Sequence, residues 1–207
     1  MRKISPRFIA LTGACGGSGI STAAICMGRT LSRIYEKKTL LISFEALSSK
    51  ICSKPGISKV DLFKLGFGED GGCVQEIEQY LYEDAYGLKY FTIDSSISPL
   101  NLQPDLLEFA LEQMSLSYEA VVLDLPANCS FNYMALAYCE DIVEVYGIND
   151  SGHRFCNEQM DCFIKMFPNT GLHKLFMVFD ENKTSEDVDI HGELGARVRE
   201  IVDRIQI

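Results

Sequence analysis

A run of glycines at residues 13–19 limits what this chain can fold into more than any other feature. The segment Thr12-Gly13-Ala14-Cys15-Gly16-Gly17-Ser18-Gly19-Ile20-Ser21-Thr22 places four glycines in seven residues. The short apolar run Phe8–Thr12 precedes it, and Ala23, Ala24, Met27, Leu31 and Ile34 follow at three- and four-residue spacings. The first reads as a buried strand and the second as one face of a helix running to about Lys38. A glycine-rich turn between strand and helix lets successive backbone N–H groups point inward, and the helix N-terminus adds partial positive charge. The segment therefore reads as an anion site at the carboxyl end of a first strand, where open parallel sheets place their ligands.

The remainder of the chain keeps alternating. Thr39–Phe44, Leu88–Ile93, Glu119–Asp124, Glu140–Tyr146 and Lys174–Phe179 read as further strands. Gln103–Ser115 (opened by Pro104), Gly152–Met166 and the face Leu194, Val198, Ile201 and Ile205 read as helices. Val74–Glu83 also has a helical pattern. Lys50–Gly72, with Pro55 and five glycines, reads as a loop carrying a short helix around Val60–Leu65. Strands alternating with helices imply an α/β domain of three αβα layers around a mostly parallel sheet. Neither a repeat nor a linker divides the sequence, so residues 1–207 are expected to form a single domain.

Composition narrows the function. Hydrophobic residues make up 47% and charged residues 23%, a balance that suits a globular core. The formal net charge of −10 repels phosphate backbones and argues against nucleic acid as a partner. Arg29, Arg33, Lys37 and Lys38 gather toward one helix end, where cations are favoured by the outward carbonyl dipoles. None of the eight cysteines forms a C-x-x-C pair, so they read as free thiols and not as metal ligands. The basic Met1–Arg7 leads only into the short run Phe8–Thr12, and no apolar run approaches the roughly 20 residues that span a bilayer. The expected location is the cytosol.

Two ligand classes suit the loop. Read from Ala14, it nearly fits the P-loop pattern G-x-x-x-x-G-K-[ST], with its first glycine replaced. Through Thr12, Gly13, Gly17 and Gly19 it also fits T-G-x-x-x-G-x-G, the cofactor loop of short-chain dehydrogenases, with Glu45 placed to hold a ribose hydroxyl. That alternative needs a Tyr-x-x-x-Lys pair, and none of the nine tyrosines has a lysine four residues on. Where those enzymes carry N-N-A-G, this chain has Asp124-Leu125-Pro126. A strand ending in aspartate is what a P-loop site requires, because the carboxylate orients Mg²⁺ and its water near the γ-phosphate.

With those residues in place, the chain resembles the ParA/MinD superfamily of deviant P-loop ATPases, and within it the TadZ/CpaE-like branch linked to pilus assembly. Cys15-Gly16-Gly17-Ser18-Gly19-Ile20-Ser21-Thr22 stands where that family has K-G-G-x-G-K-[ST]-[ST]. Leu41-Ile42-Ser43-Phe44-Glu45 stands where it has a strand ending D-x-D. Gly87–Phe91, Pro99, Tyr118–Pro126 and Cys139–Val145 follow its order of elements.

The resemblance implies an ATP site in which backbone amides of Gly16–Ile20 hold phosphates and Ser21 and Asp124 hold Mg²⁺. It also implies two copies facing each other across the loops, as a homodimer. Both family lysines are replaced, by Cys15 and Ile20, and a cation stabilising phosphoryl transfer is worth about 10³–10⁵ in rate. The implied activity is ATP binding with weak or lost hydrolysis, or a pseudo-ATPase that no longer binds nucleotide, Glu45 and Asp124 being the candidate catalytic acids. The implied role is a localising scaffold for secretion or pilus assembly proteins. Asp180 stands where the family often reads the base with asparagine. Glu193–Ile207 mixes Arg197, Arg199 and Arg204 with Glu193, Glu200 and Asp203, so it reads as a core-covering helix with at most peripheral membrane contact.

Overall fold

Along each central strand, successive apolar side chains serve opposite faces of the sheet, and this alternation builds two cores. The protein is described from a computed structural model, which covers residues 6–13, 17–44, 59–60, 80–93, 111–112, 116–125, 132–147, 153–177, 188–205 and 207. The strands are β1 (Arg7–Gly13), β2 (Thr39–Ser43), β3 (Lys59–Val60), β4 (Tyr82–Glu83), β5 (Lys89–Ile93), β6 (Ala120–Asp124), β7 (Asp141–Gly147) and β8 (Gly171–Met177). The helices among the described residues are α1 (Ile20–Arg33), α2 (Asn132–Ala137), α3 (His153–Met166) and α4 (Glu193–Ile205).

The sheet order is β3-β5-β2-β6-β1-β7-β8, neighbours in this order all being parallel, with β4 pairing antiparallel to the outer edge of β5. On one face Ile9, Leu11, Leu41, Val122, Val143 and Val145 pack with α1 and α4 through Ala24, Met27, Leu31, Val198 and Ile201. On the other, Ala10, Ile42, Val121, Leu123 and Ile142 pack with Leu136 of α2 and Met160 and Phe163 of α3. Helices on both faces of a mostly parallel sheet make the three-layer αβα architecture expected from the sequence.

Strand starts are fastened by side chains. Glu140 accepts the Phe8 amide at 2.7 Å, and Glu119 accepts the Lys38 amide at 3.0 Å. At the same end, Asp141 is 3% exposed and takes Arg7 Nε at 2.7 Å and His173 Nε2 at 2.9 Å.

Several boundaries differ from the sequence reading. Helix α1 stops at Arg33 and does not reach Lys38, because Glu36 takes a left-handed φ of 54°. Val60 pairs in β3 and does not open a helix, and Tyr82–Glu83 pair with β5 and do not end one. Strand β8 begins at Gly171, three residues early, since Gly171–His173 continue the register with Asp141–Val143. Helix α2 was not foreseen. Only Leu111 and Glu112 of the expected Gln103–Ser115 helix lie within the described residues, and both are helical. Helix α4 covers the core as expected, burying Val198, Ile201, Val202 and Ile205. No helix among the described residues is long and apolar enough to cross a membrane.

Candidate functional site

The sheet order puts β6 between β1 and β2, and this insertion makes the site. In the dinucleotide-binding order, strands one and two are neighbours. Here Asp124, the last residue of β6, stands in register with Leu11 on one side and Ser43 on the other. Its carboxylate thus arrives beside the loop that leaves β1. Ser21, in the first turn of α1, donates its hydroxyl to Asp124 Oδ1 at 3.2 Å. Ser43, ending β2, donates to Oδ2 at 2.9 Å. Asp124 is 1% exposed, so both of its oxygens meet hydroxyl donors inside the protein.

The described part of the loop has the backbone its glycines imply. Gly17 and Gly19 hold φ of 83° and 88°, the left-handed region that a Cβ disfavours. Gly19 is the N-cap of α1, no side chain caps the helix, and the first helical bond runs from the Ala23 amide to the Gly19 carbonyl. First-turn N–H groups of a helix have no intrahelical acceptor, so this end suits an anion. Gly13 is required by crowding: a Cβ there would stand 2.7 Å from the Val145 carbonyl and 2.9 Å from Ser18 Oγ.

Ser18 is buried at 4% exposure, and Thr22 is half-buried. Ile20, the residue in the lysine position, is 7% exposed, belongs to the α1–α4 core cluster and sends Cδ1 toward Gly13. Cys15, Gly16 and Glu45 lie outside the described residues, as does Asp180. The structure therefore brings together Gly17, Ser18, Gly19, Ile20, Ser21, Thr22 and Asp124.

Sequence reasoning counted Ser43 only as a lost carboxylate. In the fold it is a hydrogen-bond partner of Asp124, a role its register at the end of β2 could have signalled. Glu144 was also passed over, although an acid inside the apolar strand Ile142–Val145 is a visible anomaly. It is wholly buried on the opposite face, in register with Thr12. It accepts the Tyr146 hydroxyl at Oε2, and its Oε1 has no partner among the described residues.

Arg29 belongs to no basic patch. It is 4% exposed, with Nε on Asp84 Oδ2 at 2.8 Å, a second nitrogen on the Val188 carbonyl and its guanidinium over the Tyr86 ring. Burial alone would lower its pKa; the hydrogen bond to Asp84, with Tyr90 beside it, raises it instead.

Ser21 and Asp124 fit the roles of a Mg²⁺ hydroxyl ligand and an outer carboxylate. Mg²⁺ keeps several waters and is commonly completed by substrate phosphates. Among the described residues, no group of three or more His, Cys, Asp or Glu is placed to hold a metal ion.

No family model matches the chain, and no curated protein matches it in sequence. Solved structures do match in fold. Cobyrinic acid a,c-diamide synthase from Mycobacterium smegmatis, with bound ADP and magnesium, aligns at TM-score 0.70 and 17% identity over 97% of this chain and 94% of that one. A putative plasmid partition protein from Borrelia burgdorferi B31, bound to AMPPNP, aligns at TM-score 0.68 and 14% identity over 97% and 98%. The cell division protein MinD from Aquifex aeolicus aligns at TM-score 0.63 and 18% identity over 88% and 76%. The fold is that of the P-loop NTPases. In that fold the chain is similar to the synthase, the partition protein and MinD.

Proposed function

We propose that this protein is a ParA/MinD-like nucleotide-binding protein that holds ATP with Mg²⁺ and hydrolyses it weakly or not at all. The observation that carries the reading is the contrast between two adjacent residues. Ser21 remains hydrogen-bonded to the buried Asp124, as a metal site needs, while Ile20 turns an apolar side chain into the core where the family has lysine. Binding groups are kept and a rate-giving cation is absent. Two similar proteins support the ligand: the synthase, seen with ADP and magnesium and with an ATP analogue and magnesium, and the partition protein with AMPPNP.

In this reading the amides at the start of α1 hold the phosphates, with Cys15 and Gly16 completing the loop. Ser21 and Asp124 hold Mg²⁺, which when bound neutralises phosphate charge. Glu45 is the remaining acid to position water. Such a protein acts through occupancy, as a cytoplasmic homodimer of the TadZ/CpaE-like branch that localises secretion or pilus assembly proteins.

The test is a titration of the pure protein with ATP–Mg²⁺ and with NADH, followed by calorimetry and thermal shift, beside a phosphate-release assay. ATP–Mg²⁺ is expected to bind and stabilise, with NADH inert and release near background. Stabilisation by NADH alone, or turnover at rates ordinary for P-loop ATPases, would overturn the reading.

A further inference from the structure

Strand β7 carries one residue that its surroundings do not explain. Ile142 packs in the α2–α3 core, and Val143 and Val145 in the core on the other side. Strand alternation therefore puts Glu144 and Tyr146 on the face of Ile142. Glu144 is wholly buried; its Oε2 accepts the Tyr146 hydroxyl, and no partner meets Oε1 among the described residues. An ionised carboxylate is costly to keep in such a place unless a cation or donor reaches it.

The neighbouring strand places a cation within reach. Lys174 of β8 stands in register with Glu144, as Leu172 and Phe176 do with Ile142 and Tyr146. In-register residues of neighbouring strands share a face and lie about 4.8 Å apart, less than the length of a lysine side chain. Lys174 is exposed, with Nζ 5.8 Å from the centre of the Tyr146 ring. That ring stacks on Phe176 at 5.2 Å, and its hydroxyl is the one on Glu144. Cation and acid thus share one tyrosine, the first over its ring and the second at its hydroxyl.

Two seats for the lysine lie close in energy. Outside, it keeps its hydration and gains a modest attraction to the ring, at a distance near the limit of about 6 Å for such contacts. Inside, it gives up water and meets Oε1, and for a buried pair these effects roughly cancel.

We infer that Lys174 and Glu144 form a latch in the sheet, the lysine alternating between the Tyr146 ring and the buried carboxylate. The inward seat ties β8 to β7 by charge. It lies one residue before Val145, whose carbonyl stands close against Gly13 at the start of the glycine loop. Loss of charge on the lysine, as acylation of its amine brings, leaves only the outward seat and strands the acid. The latch is independent of what the loop binds.

Labelling of the intact protein with acetic anhydride, read peptide by peptide in a mass spectrometer, tests this. Glu144→Gln, with folding checked by circular dichroism, should raise labelling of Lys174 relative to exposed Lys165 by about two- to tenfold, as when two nearly balanced seats become one. Urea unfolding of Glu144→Gln, Lys174→Met and the double variant supplies the second measurement. Lys174→Met should lower the midpoint in the parent protein and leave it unchanged in the Glu144→Gln background. Unchanged labelling of Lys174 in Glu144→Gln, or midpoint shifts that simply add, would overturn the latch. Should Glu144→Gln not fold, Lys174→Met alone decides: a midpoint no lower than that of the parent overturns it.

Discussion

Ser43 and Asp124 stand in register on adjacent strands, and the serine hydroxyl reaches the carboxylate at 2.9 Å in a setting closed to solvent. Removing that donor takes one hydrogen bond from a buried charged oxygen. Ser43→Ala should therefore destabilise the protein by about 1–3 kcal/mol in chemical denaturation. Ser43→Asp should cost more without metal, since it sets two carboxylates side by side, and Mg²⁺ should recover part of the loss. A neutral Ser43→Ala would mean the hydrogen bond does not support Asp124.

Two glycines of the loop should fail for different reasons. Gly13→Ala drives a Cβ against the Val145 carbonyl, backbone that cannot yield cheaply, and should cost about 1–3 kcal/mol. Gly17→Ala meets nothing within 4 Å but must hold φ of 83°, a strain of about 1–2 kcal/mol. Thermal melts of the two variants check this. Equal tolerance of both substitutions would contradict the described loop geometry.

The Arg29–Asp84 pair fastens α1 to the β4–β5 turn. Asp84 also accepts the amides of Tyr86 and Leu88 and the Tyr90 hydroxyl. Arg29→Ala strands a buried carboxylate and should cost about 3–5 kcal/mol. Arg29→Lys should recover little, because an ammonium cannot also lie flat over Tyr86 and reach the Val188 carbonyl. Urea denaturation of both variants measures the difference.

Alkaline pH should weaken the fold through Cys26. Burial pushes this thiol up to about 12, with the charge of Arg29 pulling weakly the other way. Above the ordinary thiol range the unfolded chain ionises while the folded one does not, so the unfolded state then binds fewer protons. Stability from this group is complete below about pH 8.5, the ordinary thiol value, and falls at about 1.4 kcal/mol per pH unit until the folded thiol titrates near pH 12. Cys26→Ala should remove that slope. At pH 8 a thiol reagent should label exposed Cys162 in the native protein, and Cys26 and Cys139 only after unfolding.

The central fold was legible because its strands announce themselves. Phe8–Thr12, Thr39–Phe44 and Glu119–Asp124 are continuous apolar runs, as strands covered on both faces must be. Edge strands carry no such signal. Strand β8 opens with Gly171 and His173, and β3 and β4 are two-residue pairings whose existence depends on β5 as a partner. Asp124 was readable from its place at a strand end. The role of Ser43 was not, because it follows from β6 inserting between β1 and β2, and sheet order is not written in local pattern. The side chain of Ile20 shows the same limit. The missing charge is visible in the residue type, whereas only packing shows the replacement turned into the core beside Gly13.

At the far edge of the sheet, Arg197 of α4 donates to the carbonyl of Phe176 at 2.8 Å while Glu193 holds its other nitrogen at 2.5 Å. Phe176 is 57% exposed on a strand with no further neighbour among the described residues, the kind of edge on which a stray extended chain can add itself. A guanidinium seated on that carbonyl occupies one acceptor that such a chain could use. The last helix thus does more than roof the core: through Arg197 it occupies an acceptor on the outermost described strand.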